Sequence, residues 1–206
     1  MSSANLPYEI DSLEPFISRK NLETHFFRYY QEYAHNIDLL TINTVFENTA
    51  VDELIKLARG PVHYNAIQTW NHAFYFTGMR HGPNHLSDGS LLLAINGCFG
   101  SFRYFSETLI KYARSFKGHG WLWVVLNSSG TIEIIKESKL NHPLLKDMIP
   151  ILNCDLYEHA YSLDYINNIR GYVDAYLKVV DWKLVENRYN SAIRINSRKR
   201  GIVPQI

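Results

Sequence analysis

The sequence predicts an α+β fold: a long N-terminal helical hairpin, then a C-terminal domain with a three-stranded antiparallel sheet flanked by helices. Three observations predict it. Apolar and aromatic residues recur at three- and four-residue steps over residues 18–43. Two β-branched and aromatic runs in the second half are separated by Asn127-Ser128-Ser129-Gly130, a hairpin signal. Helical spacing then returns from residue 158.

The elements follow in order. Residues 18–43 read as one helix, with Leu22, His25, Phe26, Tyr29, Tyr30 and Tyr33 sharing a face. Residues 51–59 form a second helix that stops at Gly60-Pro61, and residues 64–77 a third. Gly82, Pro83, Asn84, Asp88 and Gly89 make residues 81–89 a turn-rich boundary. It divides an α-hairpin domain, 1–84, from an α/β domain, 85–206. Residues 90–116 read as a helix, 121–126 and 131–135 as paired strands, and 150–155 as a third strand entered through Pro150. Residues 158–186 are helical, and Arg198-Lys199-Arg200 reads as a solvated basic terminus.

With 206 residues, 46% of them hydrophobic and 20% charged, the chain has the composition of a globular protein with a sizeable core. A net charge of +1 gives no bulk case for nucleic acid or a membrane surface, and no apolar run reaches spanning length. Cys98 and Cys154 form no CxxC and read as free thiols. Residues 1–15 carry acids and lack a basic-then-apolar layout, so a cytoplasmic protein is expected.

Among nine histidines, three sit in settings that carry chemistry. His25 lies on the aromatic stripe of the first helix, and His72 lies four residues after Gln68 on the third. His159 follows Asp155 by four residues, just beyond an apolar run. Three imidazoles and a carboxylate would suit iron, manganese or zinc. By spacing alone each histidine reads more readily as a core residue than as a ligand, and the Asp155/His159 pair as a cap or surface pair.

The surrounding motifs separate these readings. Leu6-Pro7-Tyr8 and Leu13-Glu14-Pro15 open the chain, followed by Leu22-Glu23-x-His25 and Asn65-Ala66-Ile67-Gln68-Thr69-Trp70-Asn71-His72. Phe99-Gly100-Ser101-Phe102, Gly120-Trp121-Leu122-Trp123 and Asp155-Leu156-Tyr157-Glu158-His159-Ala160-Tyr161 come next. This ordered series, spanning residues 6–189, resembles the iron/manganese superoxide dismutases.

The resemblance implies one redox ion per chain, iron or manganese, held by His25, His72, Asp155 and His159 between the two domains. Superoxide would be the substrate. Tyr33 matches a gateway tyrosine that relays protons, and Gln68 the glutamine that hydrogen-bonds bound solvent in iron-type members. The manganese-type glutamine position falls at Asn141, so Gln68 favours iron. Trp121 and Trp123 match aromatics lining the metal pocket. Glu158, with His159, would form a reciprocal bridge in a homodimer.

Several positions depart from the family pattern. Tyr29 and Tyr30 stand where the family has paired histidines, Ser162 where it has a tyrosine that meets the first of them across the dimer, and Tyr157 where it has tryptophan. These changes keep open a second reading, a catalytically weak family-like scaffold acting as a structural or interaction subunit.

Overall fold

The computed structural model describes residues 5–201. Residues 1–4, part of the stretch read above for a leader, lie outside the described residues.

The predicted long helix forms as three consecutive pieces: α1 (Arg19–Glu23), a π-helical stretch (Thr24–Tyr30) and α2 (Gln31–Thr41). Ser18 caps it by accepting from the Asn21 N–H. The Ser18 N–H and hydroxyl donate to Asp164 at 2.9 and 2.6 Å, fastening the helix start to the C-terminal half. In the π stretch the backbone bonding slips by one residue, and the Gln31 N–H donates to the Phe26 carbonyl. α3 (Val51–Leu57) and α4 (Gly60–Thr77) complete the helical half. Gly60-Pro61 opens α4 rather than ending α3. Proline lacks an N–H, and the first helical turn has no use for one.

In the second half, residues 90–116 divide into α5 (Ser90–Phe99) and α6 (Phe102–Ser115). The break falls at Gly100, whose φ of +84° no helix accommodates, and at Ser101, whose side chain caps α6 by accepting from the Tyr104 N–H. β1 (Gly120–Leu126), β2 (Ile132–Ser138) and β3 (Ile149–Asp155) form an antiparallel sheet in the order β2-β1-β3. The apolar run Trp121–Leu126 is the central strand and is buried throughout, whereas β2 alternates inward and outward. Pro150 lies on edge strand β3, where the register slips opposite Val124 and Val125. Trp121 pairs with Asp155, so the last residue of β3 faces the start of β1.

α7 (Glu158–Tyr161), α8 (Ile169–Val179) and α9 (Trp182–Lys199) close the chain. α9 runs well past residue 186, and Arg198, Lys199 and Arg200 at its end are exposed to solvent. Lys199 pairs with Asp147 at 2.6 Å, and Arg200 donates to the Ser129 carbonyl at 3.0 Å. One large core joins the sheet to the helices of both halves, and Ile37, Leu54, Ile55, Ala66 and Ile67 make a smaller one at the hairpin end.

Candidate metal centre

Four side chains from four separate segments meet where the halves join. The π stretch carries His25, α4 carries His72, the end of β3 carries Asp155 and α7 carries His159. One donor atom from each lies within 4.8 Å of all the others. The three Nε2 atoms surround a single carboxylate oxygen, Asp155 Oδ2, at 3.0 Å for His25, 3.6 Å for His72 and 3.2 Å for His159. His25, His72 and Asp155 are fully enclosed, and the His159 side chain is 8% exposed.

The backbone aims two of these groups. The His72 Nδ1–H donates to the Gln68 carbonyl one turn earlier, at 2.7 Å. That bond fixes the tautomer and leaves Nε2 as a lone pair, which is buried without a hydrogen-bond partner. The Tyr157 N–H donates to Asp155 Oδ1 at 2.8 Å and turns Oδ2 toward the imidazoles.

Burial holds His25 and His72 neutral, pulling their pKa values down to about 4 and about 3. Burial alone would raise the Asp155 carboxyl, but His159 and His25 together outweigh it and hold the group well below the usual carboxylate range. Neutral His25 and His72 leave the buried Asp155 carboxylate short of positive charge on two of its three imidazole sides. At His72 a bare nitrogen lone pair faces a carboxylate oxygen with no proton to place between them. A cation among these four atoms resolves both problems, so the donor set fits a metal ion. Its mixture of nitrogen and oxygen suits iron or manganese.

Sequence comparison gives the same direction. The alpha-hairpin domain model of the iron/manganese superoxide dismutases matches residues 2–80, and the C-terminal domain model matches residues 87–188. The Legionella pneumophila protein named superoxide dismutase [Fe] is 37% identical over 177 residues, 86% of this chain and 92% of that protein. The Escherichia coli K12 superoxide dismutase [Fe] is 37% identical over 87% of this chain and 93% of its own. A Porphyromonas gingivalis superoxide dismutase [Mn/Fe] is 36% identical over 90% and 97%.

The chain belongs to the iron/manganese superoxide dismutase family.

Other residues singled out by the family resemblance divide by where they lie. Gln68 is fully buried beside the cluster; its Nε2 donates to the Tyr157 hydroxyl at 3.1 Å, and its Oε1 lies 3.3 Å from the Trp121 indole nitrogen. Trp121 stands edge-on to His72, with ring centres 5.0 Å apart. The Tyr33 ring lies 5.3 Å from that of His72, and its hydroxyl is 3.5 Å from the Tyr64 hydroxyl. Tyr30 packs behind His72 at 6.3 Å. Tyr29 stacks on His159 at 4.0 Å, and Tyr157 lies nearly parallel to the same ring at 5.2 Å. Glu158 is exposed, and Ser162 is partly exposed on the turn after α7.

Two positions fall elsewhere. Asn141 is exposed and donates to the Ser138 hydroxyl, because the chain turns outward after β2 before its 3-10 turn at Pro143–Lys146. The buried neighbour is His142, which is packed between Trp70 and Trp123. Trp123 itself packs on Trp70, Phe74, Trp121 and His142, one layer behind the cluster. Sequence reasoning also passed over Asn71, whose amide lies 3.1 Å from the Trp121 indole nitrogen and 3.0 Å from His142 Nε2. Asn71 immediately precedes His72, and that adjacency was the available signal. His119, whose ring stacks on Tyr157 at 5.4 Å, carried no comparable signal.

Proposed function

We propose that this protein dismutes superoxide, converting two superoxide anions and two protons into oxygen and hydrogen peroxide, at one ion held by His25, His72, Asp155 and His159. One observation carries the reading: the unpartnered, buried His72 Nε2 converges with two more imidazoles on one ionised carboxylate. When bound, the ion would supply one-electron oxidation and reduction by passing between trivalent and divalent states. Three neutral imidazoles and one carboxylate offset part of the charge of either state.

The chain's remaining work is proton supply and access. Burial first, then the bond to Tyr64, raise the Tyr33 pKa, so its hydroxyl stays protonated and can donate. Its half-buried position, with its ring 5.3 Å from that of His72, supports a role on the access path to the cluster. Gln68 supplies a buried amide donor beside the cluster, and its presence favours iron over manganese. The names of the relatives, iron for two and manganese/iron for one, support the same preference. Convergence of all four candidate ligands speaks against the scaffold reading.

A homodimer completes the proposal, with Glu158 reaching the partner's ligand histidine and Tyr29 meeting Ser162 across the two-fold axis. The division at 84/85 follows the turn-rich stretch before α5, and the two family matches end and begin on either side of it. Cys98, free and exposed, suits a reducing compartment and hence the cytoplasm. No helix among the described residues is long and apolar enough to cross a membrane.

The test is elemental analysis with superoxide-dependent dye reduction on one purified sample. Iron near one per chain with strong inhibition of dye reduction is the expected result. Manganese with activity would overturn the iron preference, and a fully occupied but inactive protein would overturn the dismutase reading.

A further inference from the structure

We propose that Tyr157 is a positioning residue that holds the Gln68 carboxamide in one orientation; this deepens the dismutase reading and rests on it. Tyr157 touches three parts of the centre at once. Its N–H donates to Asp155 Oδ1 at 2.8 Å, its ring lies 5.2 Å from the His159 ring at an interplanar angle of 21°, and its hydroxyl accepts from Gln68 Nε2 at 3.1 Å. Any residue can supply the first contact and any planar ring the second. Only the third needs a hydroxyl.

A glutamine amide can flip end for end at little cost unless its neighbours distinguish oxygen from nitrogen. Here they do. The Trp121 indole N–H can only donate, so it marks one end as oxygen. That indole is also 3.1 Å from the Asn71 amide, so its hold on Gln68 is divided. The Tyr157 hydroxyl can accept or donate, so it does not choose the end; it accepts from the nitrogen that the indole leaves there and holds that end in place. The second N–H of Gln68 Nε2 has no partner among the described residues, so a fixed amide presents it in one direction only. The tyrosine ring is itself braced, stacked on His119 at 5.4 Å and 16°. Tyr157 therefore acts through Gln68 rather than on substrate.

Tyr157→Phe removes the hydroxyl while keeping the ring and the backbone bond, which makes it the appropriate variant. Two readouts follow. In metal-free protein, the Gln68 side-chain amide protons, followed by NMR, should lose their separate, exchange-protected signals in Tyr157→Phe. In iron-loaded holoenzyme, azide affinity should change about tenfold, as for the loss of one hydrogen bond. In a Gln68→Ala background the same Tyr157→Phe change should have no further effect on azide. Unchanged amide signals with unchanged azide affinity would overturn the proposal. So would an azide effect that persists without Gln68, since Tyr157 would then act on the anion directly. If the parent holoenzyme takes up iron but fails to dismute superoxide, the dismutase reading fails instead. The metal-free NMR comparison still judges Tyr157 in that case.

Discussion

The helical half and the sheet half each bring two groups to the centre, and they hold them by different means. In the helical half, His72 is aimed by its own helix: the donor and the accepting carbonyl are one turn apart, so the tautomer follows from forming α4 at all. In the sheet half, Asp155 depends on strand register. It pairs with Trp121 across β1, and the Leu156 N–H just beyond it bonds back to the Gly120 carbonyl at 3.0 Å. His25 belongs to the helical half, yet its ring nitrogen is held by Asp155 across the junction. The helical half thus preorganises one ligand, and assembly of the two halves organises the rest.

Asp155→Ala should break this comparison most severely. We expect metal content to fall to background, because the remaining imidazoles offset no positive charge. NMR of the metal-free variant should show the His72 Nδ1 proton still protected by the Gln68 carbonyl, while His25 loses its fixed ring orientation. Equal loss at both histidines would mean that α4 does not aim His72 by itself.

Gly120→Ala should strike the sheet side next. An added Cβ would run into the Glu137 carbonyl and the Phe116 ring. The expected cost is about 1–3 kcal/mol in urea unfolding, with weaker metal retention because Asp155 moves with the strand. Gly97 in α5 is the control: nothing lies within 4 Å of an added Cβ, so Gly97→Ala should gain about 0.5–1 kcal/mol.

His142 tests the layer behind the centre. Burial, and secondarily His63, lower its pKa to about 3. The folded chain therefore keeps it neutral where the unfolded chain, near pKa 6.5, takes up a proton. Its contribution is fully present above pH 6.5 and is lost as pH falls from about 6.5 toward 3. His142→Gln should flatten the fall in unfolding free energy over that window by up to one proton, about 1.4 kcal/mol per pH unit. An unchanged slope would show that His142 is not the buried group that charges.

Much of this arrangement was legible in the sequence, and the reasons differ by element. The four candidate ligands keep their places and spacing within recognisable motifs, even where Tyr157 departs from the pattern, and the buried run Trp121–Leu126 declares a central strand by having no polar side. The π stretch left no mark, since a one-residue slip in backbone bonding needs no particular side chain. The resemblance points to Asn141 while the buried residue is its neighbour His142, because the inward or outward sense of one residue after a strand is a matter of register. The break at Gly100-Ser101 was readable, as glycine followed by a capping serine, and was passed over in favour of a long helix.

The smallest expected effect lies where the chain departs from its family. Tyr29 stacks on His159 with ring centres 4.0 Å apart, and Tyr29→Phe preserves that stack. Metal content and monomer stability should therefore stay as they are. If the Tyr29 hydroxyl meets the partner's Ser162, removing it takes one hydrogen bond from each side of a symmetric interface, about 1 kcal/mol apiece. Two such losses weaken dimerisation by about thirtyfold, which sedimentation at low concentration resolves. An unaltered dissociation constant would confine Tyr29 to a stacking role within its own chain, and the interface would then rest on Glu158 and the ligand histidine it is proposed to reach.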